Sequence, residues 1–234
     1  MTTIQHRRAP ARRVLLCALL SFLVSLSTSA YAEDDARWAE LRRVFEQGEQ
    51  DARRWSMGWT TAYGLYAALN IAAAEDTDDS EERLDAQVNA VKSTLALANI
   101  LMTPQPHFAA REDFDDIYAN RGAAGHAALA RAEARRNALA RQEQDRRGLS
   151  ARLGPFAVNL LAGLTIALGD DRPGDGLISF ASGMLVNELA LRTQPDLATR
   201  HQAQALHLNI GDAVLKLEYE WSMMPNWATL SLRF

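Results

Sequence analysis

The sequence predicts a mainly α-helical bundle built on a duplicated helical hairpin, with a small C-terminal antiparallel β element of about three strands. Three observations carry this expectation. Between residues 34 and 200 apolar side chains recur at helical spacing. Two apolar stretches with acidic ends, LYAALNIAAAED at Leu65 to Asp76 and LLAGLTIALGDD at Leu160 to Asp171, match closely. The last thirty residues then change to a period of two.

The chain opens with Arg7, Arg8, Arg12 and Arg13, followed by an uncharged run from Val14 and the small residues of Ala30-Tyr31-Ala32. A basic start, a roughly dozen-residue apolar core and small residues at −3 and −1 describe an export signal cut after Ala32. The expected organisation is a signal peptide over 1–32 and a single exported domain over 33–234. Within that domain, 33–56 is an amphipathic helix, 57–106 the first hairpin repeat, and 107–152 an acidic segment with an Arg-rich helix. The second hairpin repeat occupies 153–195 and the β element 204–234.

In the first helix Trp38, Leu41, Phe45, Ala52 and Trp55 form a narrow stripe, with Gly48 at the missing position, which either lets a neighbour approach closely or weakens the helix there. The two repeats extend past their acidic turns, because Val88 to Pro106 can be laid on Leu177 to Pro195, each ending in Gln-Pro. The unit is an apolar helix, an acidic turn and a returning helix stopped before proline. Gly64, Ala68 and Ala72, Gly163 and Ala167, and Ser179 and Gly183 are spaced four apart, which lets helix backbones come close. Between the repeats, Gly122 to Gly148 reads as a long helix whose stripe is only alanine, so weak docking and a projecting helix are expected. The C-terminal alternation runs through Leu206, Leu208 and Ile210, then Ala213, Leu215, Leu217, Tyr219 and Trp221, then Ala228, Leu230, Leu232 and Phe234.

Ser56 to Ala74 and Leu153 to Gly169 carry no charge and raise the question of membrane insertion. A bilayer core needs about 20 apolar residues per helix. Lys92 and Pro104 leave only Ser93 to Thr103 uninterrupted in the second helix, and Glu188 interrupts the fourth. The expectation is therefore that the uncharged helices shield one another in water. A terminal Phe234 after alternating Leu230 and Leu232 resembles the last strand of an outer-membrane barrel, but the resemblance covers about nine residues and a barrel needs at least eight strands.

Removal of the signal leaves 21 basic against 29 acidic residues, a charge near −8. Such a chain has no global basic patch for nucleic acid. Its one cysteine, Cys17, lies inside the signal, so the mature fold has no disulfide.

No nucleophile elbow, paired-cysteine zinc pattern, phosphate loop or His-x-x-x-His spacing occurs in the mature chain, and no cofactor is implied. The mature histidines are His107, His126, His201 and His207; His201 and His207, six residues apart, fit neither a helix face nor a strand face for joint metal binding and read as surface or capping residues. The aromatic residues Trp55, Trp59, Tyr63 and Tyr66, at spacings of four, four and three, share a helix face that could line an apolar ligand site or lie at a membrane interface. Arg131, Arg135 and Arg136 on the Arg-rich helix are the candidates for an anionic lipid or acidic partner. Asp76, Asp78 and Asp79 in the first acidic turn are weak calcium candidates, without the glycine and spacing of a calcium loop. The expected function is that of a non-catalytic exported protein of the periplasm or bacterial envelope. It would act by binding or scaffolding, with a protein or lipid partner, membrane-surface contact or self-association open to it. The alternatives are an integral or peripheral membrane protein and a periplasmic hydrolase whose active site only the fold assembles.

Overall fold

In the computed structural model the backbone is described for residues 10–169, 171–201, 204–210, 213–224 and 227–233, and side chains for 34–125, 127–169 and 171–201. The helices are α1 (Pro10–Asp76), α2 (Ser80–Met102), α3 (Pro106–Ala119), α4 (Arg121–Ala124), α5 (His126–Asp145), α6 (Ser150–Gly169), α7 (Pro173–Arg192) and α8 (Leu197–Arg200). Three strands follow, β1 (Gln204–Ile210), β2 (Ala213–Met224) and β3 (Trp227–Arg233), whose backbones pair antiparallel in that order. The expected apolar face of the β element, His126, His207, and the signal peptide with its cut after Ala32 all fall outside the described side chains.

The chain divides into residues 1–42 and 43–234. The first unit is helical from Pro10, and an Arg37–Asp34 ion pair of 3.6 Å lies one turn apart near its end. The second unit has two parts with different interiors.

One part is a cap built from the Arg43 to Trp55 stretch of α1 together with α3, α5 and α8. Val44, Phe45 and Ala52 are buried there with Phe114, Leu129, Leu139 and Ala198. Phe45 stacks on Phe114 at 4.6 Å. Gly48 lies under His107, whose Cδ2 is 3.1 Å from where a Cβ would stand, so the gap in the stripe is the seat of a neighbouring ring. The Arg-rich helix does not project as expected. Ala128, Ala132 and Ala140 are fully buried, because small side chains let α5 lie close against α3 and α8.

The other part is a ring of four helix segments. Gly64 of α1 approaches Leu97 of α2, α2 packs on α6, α6 on α7, and the indoles of Trp55 and Trp59 return from α1 to the end of α7. The tightest contact is between α6 and α7. A Cβ on Gly163 would stand 2.6 Å from the Gly176 carbonyl, and one on Gly176 would stand 2.7 Å from Ala167 Cβ. Both hairpin turns lie at one end of the ring, where the Arg172 guanidinium bonds Asp85 at 2.7 Å and Asp175 at 3.3 Å. The Arg147 and Asp196 side chains pair at 2.9 Å near the other end, beside the cap.

Candidate functional site

The helices of the ring are apolar on the outside. Twenty-one large hydrophobic residues are exposed among the described residues, and all lie between Met57 and Met102 or between Leu149 and Leu189. They include Leu65, Leu69 and Ile71 on α1, Val91, Leu95 and Leu101 on α2, Leu161, Leu164 and Leu168 on α6, and Ile178, Leu185 and Leu189 on α7. None lies on the described cap helices. The expectation that these helices shield one another is not met: they meet through small and polar residues and turn their leucines outward.

The free energy at stake is large. Full burial of one such side chain is worth about 1.5–3 kcal/mol, and these are roughly half exposed, so leaving twenty-one in water forgoes on the order of 20 kcal/mol. That exceeds the whole stability of an ordinary domain, about 5–15 kcal/mol. Monomeric soluble proteins rarely carry contiguous apolar patches beyond a few hundred Å².

Polar groups of the ring point inward. Lys92, near the middle of α2, donates to the Ser179 carbonyl at 3.0 Å and the Ser179 hydroxyl at 3.2 Å on α7. Ser93 donates to the Asn89 carbonyl at 2.7 Å. Asn159, only 6% exposed, donates to the Pro155 carbonyl at 2.8 Å, and its Oδ1 abuts Gly183. Glu188 is clamped by Nε and Nη2 of Arg152, each at 3.0 Å, and by Arg192 at 2.8 Å. The charges that interrupt α2 and α7 in the sequence are thus turned to the interior or neutralised in pairs. The helices run on past them, for 23 residues in α2 and 20 in each of α6 and α7, or about 30–35 Å at 1.5 Å per residue. A bilayer hydrocarbon core is about 30 Å thick. By length and hydropathy alone one stretch among the described residues, Ala127–Gly169, passes as a membrane span, and only 17% of its apolar window is buried.

The aromatic candidates sit at the cap end of this belt. Trp55 Nε1 donates to the Ala190 carbonyl at 3.1 Å and to Thr193 Oγ1 at 3.3 Å, and Trp59 Nε1 donates to the same hydroxyl at 3.1 Å. Tyr63 lies against Trp59 with ring centroids 5.4 Å apart, whereas Tyr66 faces outward within the belt. Trp55 and Trp59 line an open cleft of about 560 Å³ that also takes in Asp51, Arg54, Gly58, Ala62, Leu189, Asp196 and Arg200. Burial raises the Asp196 carboxyl, but hydrogen bonds from Arg200 and Arg147 outweigh it and hold the group below its ordinary value.

The remaining candidates are not brought together. Arg131 is exposed, Arg135 is held by Asp113 at 2.6 Å, and Arg136 is buried and donates to Asn137 at 3.3 Å. Asp79 caps α2, accepting from the Glu81 and Glu82 amides at 2.8 and 3.2 Å, and Asp76 closes α1 with Asp78 in the turn. Among the described residues no group of three or more His, Cys, Asp or Glu side chains is placed to hold a metal ion.

The sequence reading missed the buried junction in the cap. His107 Nε2 and Glu143 Oε1 lie 2.9 Å apart with both side chains out of solvent. The Glu143 carboxylate also accepts from the Ala198 amide at 3.1 Å, the Thr199 amide at 2.7 Å and the Thr199 hydroxyl at 2.6 Å. One carboxylate therefore fastens α3, α5 and α8 together. No sequence signal joins His107 to a glutamate 36 residues away. Comparison with family models, curated proteins and solved structures finds no match to this chain.

Proposed function

We propose that this chain is a membrane-embedded protein of the bacterial envelope. Its two hairpins lie in the bilayer and its cap of α3, α5, α8 and the Arg43 to Trp55 stretch stands at the surface as a non-catalytic binding or scaffolding module. The observation that carries the reading is the location of every exposed large hydrophobic residue of the described chain on the hairpin segments or at Leu149 beside them. Helix lengths close to the hydrocarbon thickness support it, as do the inward Lys92 and Asn159 and the tryptophans at one rim of the belt. In this reading the two hairpins descend from one duplicated unit. The alternating C-terminal residues supply a small β element whose apolar face packs against protein, and export by the N-terminal signal brings the cap to the outer side.

Alkaline carbonate extraction of membranes from cells expressing the full chain tests the proposal. The protein is expected to stay in the pellet and to leave it only with detergent. Release into the supernatant would point instead to a water-soluble or peripheral protein whose belt is covered by another polypeptide.

A further inference from the structure

The cleft at the cap end of the belt combines an apolar floor with a charged wall. Its floor is apolar and open: Gly58 has nothing within 4 Å of where a Cβ would stand, and Ala62 one turn on carries only a methyl group. The indole N–H groups of Trp55 and Trp59 are already satisfied by Ala190 and Thr193, so these rings offer apolar faces rather than donors. Its upper wall carries two cations and two anions, Arg54 with Asp51 at 3.4 Å and Arg200 with Asp196. Both arginine heads are largely exposed, at 76% and 67%. Asp196 is further held by Arg147, whereas among the described residues Asp51 pairs with Arg54 over a long 3.4 Å contact and is half exposed. The cleft opens where the belt ends, beside exposed Met57 and Leu189.

We propose that this cleft seats one zwitterionic phospholipid of the surrounding bilayer, of the phosphatidylethanolamine type. Its phosphate lies between the Arg54 and Arg200 guanidinium groups, which can each present two parallel donors. Its ammonium group meets Asp51, and one acyl chain runs down the groove over Gly58 and Ala62 toward Leu189. The balanced wall explains the choice of headgroup, because a purely anionic lipid would leave the Asp51 carboxylate facing its negative charge. The inference rests on the membrane reading above.

The test uses the full chain purified in mild detergent with equal amounts of phosphatidylethanolamine and phosphatidylglycerol, and counts retained lipids by native mass spectrometry. One phosphatidylethanolamine is expected to be retained at least about fivefold over phosphatidylglycerol, a difference on the scale of one added charge contact. The preference is expected to vanish in the Arg54→Ser/Arg200→Ser double variant. Gly58→Leu, which fills open space, is expected to reduce retention of both lipids with helix content unchanged by circular dichroism. Equal retention of the two lipids, or retention indifferent to both variants, overturns the lipid site. Flotation of the same preparation with phospholipid vesicles separates that failure from failure of the membrane reading. A protein that floats without selective retention loses only the site, and one that stays at the bottom of the gradient without detergent loses both.

Discussion

At the scale of single residues, Glu143 ties the cap together, its carboxylate taking hydrogen bonds from Ala198, two groups of Thr199 and the His107 ring. Removing one member of a buried charged network leaves the others desolvated and unpartnered, a loss of about 3–5 kcal/mol. Glu143→Ala is therefore expected to lower the stability of the cap by about that amount in detergent-based chemical denaturation, while Arg131→Ala, on the exposed side of the same helix, changes it by less than about 0.5 kcal/mol. A Glu143→Ala protein with unchanged stability would mean that the junction does not hold the cap together. The residue scale was also the hardest to read in the sequence. Glu143 sits among Arg141, Gln142, Gln144 and Asp145, where composition argues for a solvated face, and its partners arrive from distant parts of the chain. The tryptophan pair was legible because its helical spacing is local, but its partner Thr193 was not.

At the scale of elements, the small-residue spacing in the second hairpin has a mechanical outcome in the contact of α6 with α7. Gly163 and Gly176 face each other across it so closely that neither tolerates a side chain. Overpacking a well-packed contact costs about 1–3 kcal/mol and more where backbone must move. Gly176→Leu is expected to separate the hairpin, lowering the apparent melting temperature or abolishing accumulation. Gly174→Leu, with nothing within 4 Å, is expected to behave as wild type, and equal behaviour of the two would contradict the crossing. Much of the element scale was legible, including an apolar helix, an acidic turn and a returning helix in both halves. Two features were not. The expected amphipathic helix and the first repeat helix lie on one uninterrupted α1, in which no proline follows Pro10. Helix α5, read as weakly docked for want of large side chains, is anchored through alanines that admit close approach, which residue volume alone does not reveal.

At the scale of the whole molecule, the sequence supports two arrangements of the same helices, leucines inward around a soluble core or leucines outward around a polar seam. Helical periodicity cannot separate them when small residues occupy one face and leucines another, because both faces are uncharged. The choice is made by three-dimensional details, namely Lys92 reaching Ser179, Asn159 packed on Gly183, and the Arg152–Glu188 pair. With those groups in the seam the leucines face outward, and the membrane proposed above would supply the apolar solvent that covers them. Spin labels placed singly at Leu95, Leu164 and Leu185 in protein reconstituted into phospholipid vesicles measure that solvent directly, since dissolved oxygen concentrates in the hydrocarbon and a charged nickel chelate in water. The labels are expected to relax faster with oxygen than with the chelate, increasingly so toward the middle of the helices; stronger collision with the chelate at all three positions would place the belt in water.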